Sequence, residues 1–565
     1  MMDPLILTMV FPLLAAGGVS LASYLFVRID VKRGYVRALV GASLIAVGAA
    51  VALLLSVGDE IGSRLVLPSL TASLLTESAV GVRWNATLWP LGLSFSVVVF
   101  SLLLAAGGRG GLSFRLASVL LLLLSAGLAV VWSASPFTTM VCWAFYDVAQ
   151  TLGWLAIGGR RGQAVRVLVL GTIATLLLWL GALVSGGGIG TVQWALIPPG
   201  GVKMSYWTLA GLLRLGVYPL HLSVPRHIDS HSPLAGAMLL SPLLGWGLWS
   251  RLALASDRAL LLGPWAVVLA LLTVAGGGIL AWTAGSPKES RPWISVGANG
   301  SVLLATVLLS LWGGGEGMGR EAIVPLMTLG AAGWMLGTGL LFSGGGLALS
   351  QLLRPKTLPQ AIPSIIGALS LIGAPVTLGF VGHTSLMRGL VTGARWGWIV
   401  LFSLGHVLLV AAVTRWLLGD DSAKWSDKAL GHKAAWGVGL AGLAGLLMAV
   451  GVVPSLLTPG VDVTFPATFR ALVALPPSLG WLLWGGTVVL GVGLARLGLS
   501  LRPRISLWLN AIHDVLLFDW AYALLVGALE RGFSLLSIVD DVLGGRGALL
   551  WSCILMLILI LVVGG

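Results

Sequence analysis

One acid and one guanidinium stand where a membrane-crossing sequence should carry neither. Of the 20 acidic residues only Asp147, in FYDVAQTLGWLAIGG, falls in the middle of an apolar segment. A lone carboxylate at the bilayer centre costs several kcal/mol unless it is paired or protonated. The matching cation is Arg214, the only arginine in mid-span, in RLGVYPLHLSVPRHIDSHSPLAGAML. Two opposite charges held close at low dielectric can bias proton or cation movement through nearby titratable groups. Three histidines in apolar segments, His221, His383 and His406, are suited to that task near neutral pH. Lys288, in the loop after the ninth span, is a further possible relay member. Plainer readings stay open. Arg214 can serve as a packing cap on carbonyls freed by a proline kink, and His383 can bond a freed carbonyl. His406 has neither a helix break nor a sequence partner, and His227 and His231 read as solvated or capping loop residues.

These groups need elements that hold them at one depth. After Arg214 the seventh span meets Pro219 and Pro225, followed by the polar run Arg226, His227, Asp229, His231, Ser232 and Pro233. The twelfth span, GALSLIGAPVTLGFVGHTSLM, is loosened by Gly373, Pro375 and Gly379 just before His383. A broken helix survives in lipid only where protein or water covers the freed backbone groups. Two broken spans five apart run in opposite directions. That pattern predicts an inverted repeat, spans four to eight against nine to thirteen, with half-helices at the midplane.

Composition sets the class. The chain has 565 residues, 57% hydrophobic and 9% charged, with a mean hydropathy of +1.00, against about a quarter charged in soluble domains. It reads as an all-α polytopic membrane protein. The 79 glycines suit close helix contact in lipid and the 25 tryptophans suit interfacial belts. About 20 apolar residues make a span, which gives about sixteen, at 4–27, 35–57, 87–107, 113–133, 136–158, 164–186, 204–222, 232–254, 259–284, 292–312, 322–346, 361–387, 396–418, 434–457, 478–499 and 547–563. Loops after odd-numbered spans hold twenty-one Lys and Arg residues against nine after even-numbered ones, which makes the first set cytoplasmic and puts both termini on the other side. The first apolar run lacks a basic leader and reads as a span. The net charge of +13 is scattered through short loops and is no nucleic-acid signal. Cys142 and Cys553 form no metal spacing or disulfide framework. No dinucleotide fingerprint and no iron–sulfur cysteine set is present, so neither cofactor nor metal is expected.

The expected organisation is a three-span segment (1–112), a first five-helix repeat (113–256), a second (257–418), additional spans (419–504), an in-plane amphipathic helix (505–546) and a last span (547–565). In the in-plane helix Asp519, Glu530 and Asp541 recur at an interval near three helical turns. Residues 58–86 form an external connection whose apolar middle suits a surface helix.

The motifs resemble the antiporter-like, proton-translocating membrane subunits of respiratory complex I and their relatives in Mrp-type cation/proton antiporters and membrane-bound hydrogenases. The resemblance runs from about residue 87 to 415. FYDVAQTLGWLAIGG is similar to the family's fifth span and places Asp147 at its key glutamate. RLGVYPLHLSVPRHIDSHSPLAGAML is similar to the seventh-to-eighth span signature, with Arg214 at the key lysine and Pro219, His221, Pro225 and Pro233 kept. GALSLIGAPVTLGFVGHTSLM is similar to the twelfth span, with His383 where the family has lysine or glutamate. The chain departs at Leu239, where the family has a histidine motif, and at Thr338 and Trp334, which match the central lysine and a nearby histidine. These departures interrupt the row between Arg214 and His383.

The resemblance implies an ion-translocating, non-redox subunit of a complex I-like quinone oxidoreductase, moving protons (or sodium) through a midplane row of Asp147, Arg214 and His383. Its partners would be other membrane subunits and the lipid of a bacterial cytoplasmic membrane. Two alternatives stand beside it: a non-conducting structural subunit of the same fold, and a subunit of a Mrp-type antiporter.

Overall fold

The computed structural model describes residues 4–29, 64–66, 81–109, 114–156, 161–184, 202–224, 238–255, 264–312, 320–344, 358–392, 396–418, 430–458 and 479–524, with a few single positions between and after them. Fifteen helices are named among these: α1 (Pro4–Ile29), α2 (Trp89–Arg109), α3 (Phe114–Trp132), α4 (Pro136–Ala156), α5 (Arg161–Val184), α6 (Val202–Leu215), α7 (Pro242–Ala255), α8 (Pro264–Thr283), α9 (Pro287–Trp312), α10 (Arg320–Gly344), α11 (Leu358–Leu371), α12 (Leu378–Thr392), α13 (Trp396–Leu418), α14 (Leu430–Val452) and α15 (Leu479–Leu516). Eight of the described helices are long and apolar enough to cross a bilayer. The protein is thus an integral, multi-pass helical membrane protein. The sequence-based count is higher partly because 35–57 and 547–563 fall mostly or wholly outside the described residues. It is also higher because broken spans are divided into halves of 14 or 15 residues.

Both breaks end the same way. At the end of α6, Gly216 N–H donates to Leu213 O and Val217 N–H to Leu212 O, with Gly216 at φ +64°. At the end of α11, Gly373 N–H donates to Ser370 O and Ala374 N–H to Leu369 O, with Gly373 at φ +66°. This is the Schellman terminator, in which a left-handed glycine closes the last carbonyls. The carbonyls it leaves open are covered from neighbouring helices. Asn299 Nδ2 donates to Leu215 O at 2.8 Å, and Trp484 Nε1 to Ile372 O at 3.0 Å. The seventh span resumes as a short 3-10 turn, His221–Ser223, while the twelfth resumes as α12.

The core lies where α8, α9 and α13 pack through small residues, Gly277, Gly278, Gly297 and Gly405 among them, which let the backbones approach closely. Helix α9 also contacts α10 and α12. Helices α4, α5 and α6 pack in series and hold the Asp147 region, and α6 packs on α7.

The apolar middle of the 58–86 connection, where a surface helix is expected, lies outside the described residues; on either side of it Arg64–Val66 (β1) and Gly81–Arg83 (β2) pair antiparallel. The pairing is favoured because β2 is tied to the turn before α4, through Ala134 N–H to Gly81 O at 2.8 Å and Gly81 N–H to Thr138 Oγ1 at 3.0 Å. One expectation is corrected, the start of the in-plane helix at residue 505. Residues 505–516 continue α15, a 38-residue helix that starts at Leu479. Pro503 removes one backbone hydrogen bond but does not end the helix. Arg502, next to it, is held by the carbonyls of Trp282, Thr283 and Ala284 at the end of α8, which fixes this turn. Residues 535–550 lie outside the described ones.

By contact density the chain divides into Met1–Asn510 and Ala511–Gly565. In the second unit, helix α15 closes at Leu516, Phe518 takes φ +54°, and a short turn follows in which Tyr522 N–H donates to Phe518 O.

Candidate functional site: a buried ion pair and a histidine pair

Helix α4 carries Asp147 and α6 carries Arg214, and the two meet inside the protein. Asp147 is 2% exposed and Arg214 7%. The pair is bidentate: Nη1 donates to Oδ1, and Nη2 donates to Oδ2 at 2.7 Å. This fork is the strong form of the contact. Nη2 also reaches Gly171 O at 2.9 Å and Thr175 Oγ1 at 3.0 Å on α5, and the guanidinium lies 4.6 Å from the Trp143 ring. Asp147 fits only because residue 171 is glycine, since a Cβ there would stand 2.6 Å from Oδ1. Arg214 also sits in the last turn of α6, where a cation meets the negative end of the helix. The Tyr146 hydroxyl, beside Asp147 in sequence, is buried with no hydrogen-bond partner among the described residues.

The second cluster joins α12, α13 and α15. His383 Nε2 lies 3.1 Å from His406 Nε2, and His406 Nδ1 lies 2.9 Å from Thr487 Oγ1. The Thr487 hydroxyl donates to Trp484 O at 2.8 Å. It therefore accepts from His406 Nδ1–H. A neutral His406 then offers Nε2 as acceptor to Nε2–H of His383. His383 is pressed against the break itself, because a side chain on Gly373 would run into its ring. Sequence reasoning gave His406 no partner, and it missed Thr487 altogether. Histidines 23 residues apart on separate helices leave no periodic trace, and a threonine at a glycine-rich stretch of α15 looks like packing.

The two clusters are not at equivalent places. With Gly216 matched to Gly373, Arg214 corresponds to Leu371 and His383 to Arg226. Helix α9 lies between them. Ser295 and Asn299 line a cavity of about 20 Å³ beside Arg214, Leu239 and Ser241. Ala298 and Ser301 line another of about 20 Å³ beside Trp334, Ser370 and His383. Each has room for about one water. Trp334, on the wall of the second cavity, donates its Nε1–H to the backbone carbonyl of Ser295 on the wall of the first, at 3.0 Å. Thr338, one turn further along α10, keeps a buried Oγ1 with no partner among the described residues. His221 is buried and stacked on Tyr218 at 4.8 Å, with its edge to Trp293, and so fills the first break. Lys288 lies in the first turn of α9, and its side chain is outside the described residues. Pro225, Arg226, His227, Asp229, His231 and Pro233 are outside them as well. No group of three metal-ligating side chains occurs among the described residues.

A helical membrane protein with a buried acid–guanidinium pair beside a broken helix is the class these observations define. No protein-family model matches the chain. The sequence is 25% identical over 316 residues, 51% of this chain, to NADH-quinone oxidoreductase subunit N of Desulforudis audaxviator, and the match spans 61% of that protein's length. In fold, the chain resembles a chain of the Mrp complex from Dietzia sp., with TM-score 0.71 and 17% identity over 99% of this chain and 63% of that one. It also resembles a chain of the membrane-bound sulfane sulfur reductase, an archaeal respiratory membrane complex, with TM-score 0.69 and 16% identity over the full length of both. A chain of respiratory complex I from Thermus thermophilus matches 79% of this chain and 98% of its own length, with TM-score 0.53 and 16% identity. The resemblance carried by the sequence motifs is thus met by the overall fold, and the similar structures are parts of multi-subunit membrane complexes.

Proposed function

We propose that the chain is an antiporter-like membrane subunit of a complex I- or Mrp-like assembly in a bacterial cytoplasmic membrane, and that it moves protons. The buried bidentate Asp147–Arg214 pair carries this reading. Arginine stays protonated, so the pair acts by opening and closing. While it is closed, the two side chains satisfy each other. When it opens, the guanidinium faces the cavity beside Ser295 and Asn299. That change of field acts on the titratable end of the row, the hydrogen-bonded His383 and His406 with Thr487 behind them. The shared Schellman breaks of α6 and α11 support two pseudo-equivalent half-channels built as inverted repeats. The relay of Asp147, Arg214 and His383 gains His406 as a member in direct contact. His221, enclosed by rings, is a spacer in this scheme.

One observation favours the other reading, a structural subunit that does not conduct. Trp334 joins the walls of the two small cavities, and Thr338 brings no titratable group. The test is proton pumping by the assembled complex in vesicles, with proton-to-electron or proton-to-cation stoichiometry measured for D147N and for H406Q. Loss of pumped protons in both supports the relay. Unchanged stoichiometry in both establishes the structural role.

A further inference from the structure

We infer that a second site lies at the opposite end of the fold from the cytoplasmic loops: a phosphate-binding cavity formed by β2, the end of α3 and the end of α7. The cavity measures about 430 Å³ and is lined by Arg83, Trp84, Asn85, Ser133, Trp194 and Arg251, among others. Arg251 is 5% exposed and forms no ion pair among the described residues. Nη2 donates to Val130 O at 2.6 Å and Val131 O at 2.5 Å, and Nη1 to Gly247 O at 3.3 Å. Capping the end of α3 accounts for those bonds. A guanidinium has five N–H donors, which leaves Nε–H and one Nη1–H without an acceptor among the described residues, at the wall of the cavity. A buried cation held only by carbonyl dipoles keeps a net charge to be balanced, and an anion in the cavity would balance it.

Arg83 supplies the second positive charge on the same wall. Arginine forks match phosphate oxygens in geometry. The Lys/Arg asymmetry assigns this end of the helices to the external surface. Trp84 stacks on Trp132 at 4.9 Å, and Trp194 joins the same wall, as interfacial tryptophans do at headgroup depth. The ligand is therefore a phosphate group, carried by an anionic phospholipid headgroup or free as inorganic phosphate. This site is independent of the transport reading and contains none of its residues.

The test uses the purified full-length protein in detergent. Phosphatidylglycerol binding is measured by native mass spectrometry against a diacylglycerol of the same chains, and inorganic phosphate binding by ³¹P line broadening. R83Q is the primary variant because Arg83 is exposed. R251Q is the second, paired with a thermal melt because Arg251 also caps α3. Each substitution is expected to weaken binding by about tenfold, the effect of losing one charge-assisted contact. Phosphatidylglycerol retained by the parent protein, lost in R83Q and not displaced by phosphate identifies the headgroup. Displacement by phosphate, with matching line broadening, identifies the free ion. Binding of neither probe, or equal binding by parent and R83Q, overturns the proposal.

Discussion

Replacing Asp147 by asparagine removes one charge and leaves the shape almost unchanged. Arg214 then keeps Gly171 O, Thr175 Oγ1 and one amide oxygen, but loses the opposite charge and the second of its two carboxylate contacts, in a site where it is only 7% exposed. At an effective dielectric near 20, two charges about 4 Å apart interact by about 4 kcal/mol. Breaking a buried pair from one side costs about 3–5 kcal/mol by mutational experience. The two routes agree, so D147N should lower stability in detergent by about 3–5 kcal/mol and should stop pumping. The double variant D147L/R214M removes both charges and fills the space. It should recover most of the stability, since an apolar replacement of a buried pair is often neutral or better, yet it should pump no better than D147N. Denaturant melts and vesicle pumping measured on all three proteins decide the matter. If the single variant is as stable as the parent, or if the double variant pumps normally, the pair is not what holds this site.

Other consequences follow from neighbouring contacts. G171A should act like a mild D147N, because the added methyl would sit 2.6 Å from the carboxylate. Reduced pumping with an intact Asp147 is the expected readout. T487V removes the acceptor of His406 Nδ1–H and strands a buried donor, which costs about 1–3 kcal/mol. Slower pumping and a changed His406 resonance in ¹⁵N spectra are expected, and unchanged histidine spectra would count against the assigned tautomer. W484F removes the indole donor from Ile372 O at the second break and should cost about 1 kcal/mol in thermal stability. R502Q should loosen the end of α8. Half-burial lowers the affinity of the Arg502 guanidinium for its proton, and the nearby Glu289 carboxylate opposes this. Faster hydrogen exchange at residues 282–285 would report the loss.

How much of this could be read from sequence depends on the interaction. Pro219, Gly373 and Gly379 announced the breaks, because few residues stop a helix in lipid and those do. Asp147 and Arg214 announced each other, since an isolated buried charge must find its opposite. The terminator at Gly216 was less visible, being one glycine among 79. Partners that are ordinary residues left no mark: Asn299 on Leu215 O, Trp484 on Ile372 O, Thr487 on His406. Each is specified only by packing of distant segments. The end of α15 was misplaced for a related reason. Gly498 and Pro503 look like a stop, while the arginine that anchors the turn bonds to carbonyls more than 200 positions earlier in the chain.

Arg502 has a companion in Arg415, which donates to Trp282 O and Ala284 O at 3.0 and 2.9 Å. Helices α13 and α15 are thereby clasped to the same helix end, while His406 and Thr487 tie them again deeper in the bilayer. Two ties at different depths forbid either helix from sliding along its axis without breaking one of them. A sliding movement of α15 along its axis would therefore be felt at the imidazoles, whereas a tilt or a twist about the clasp would strain these ties less.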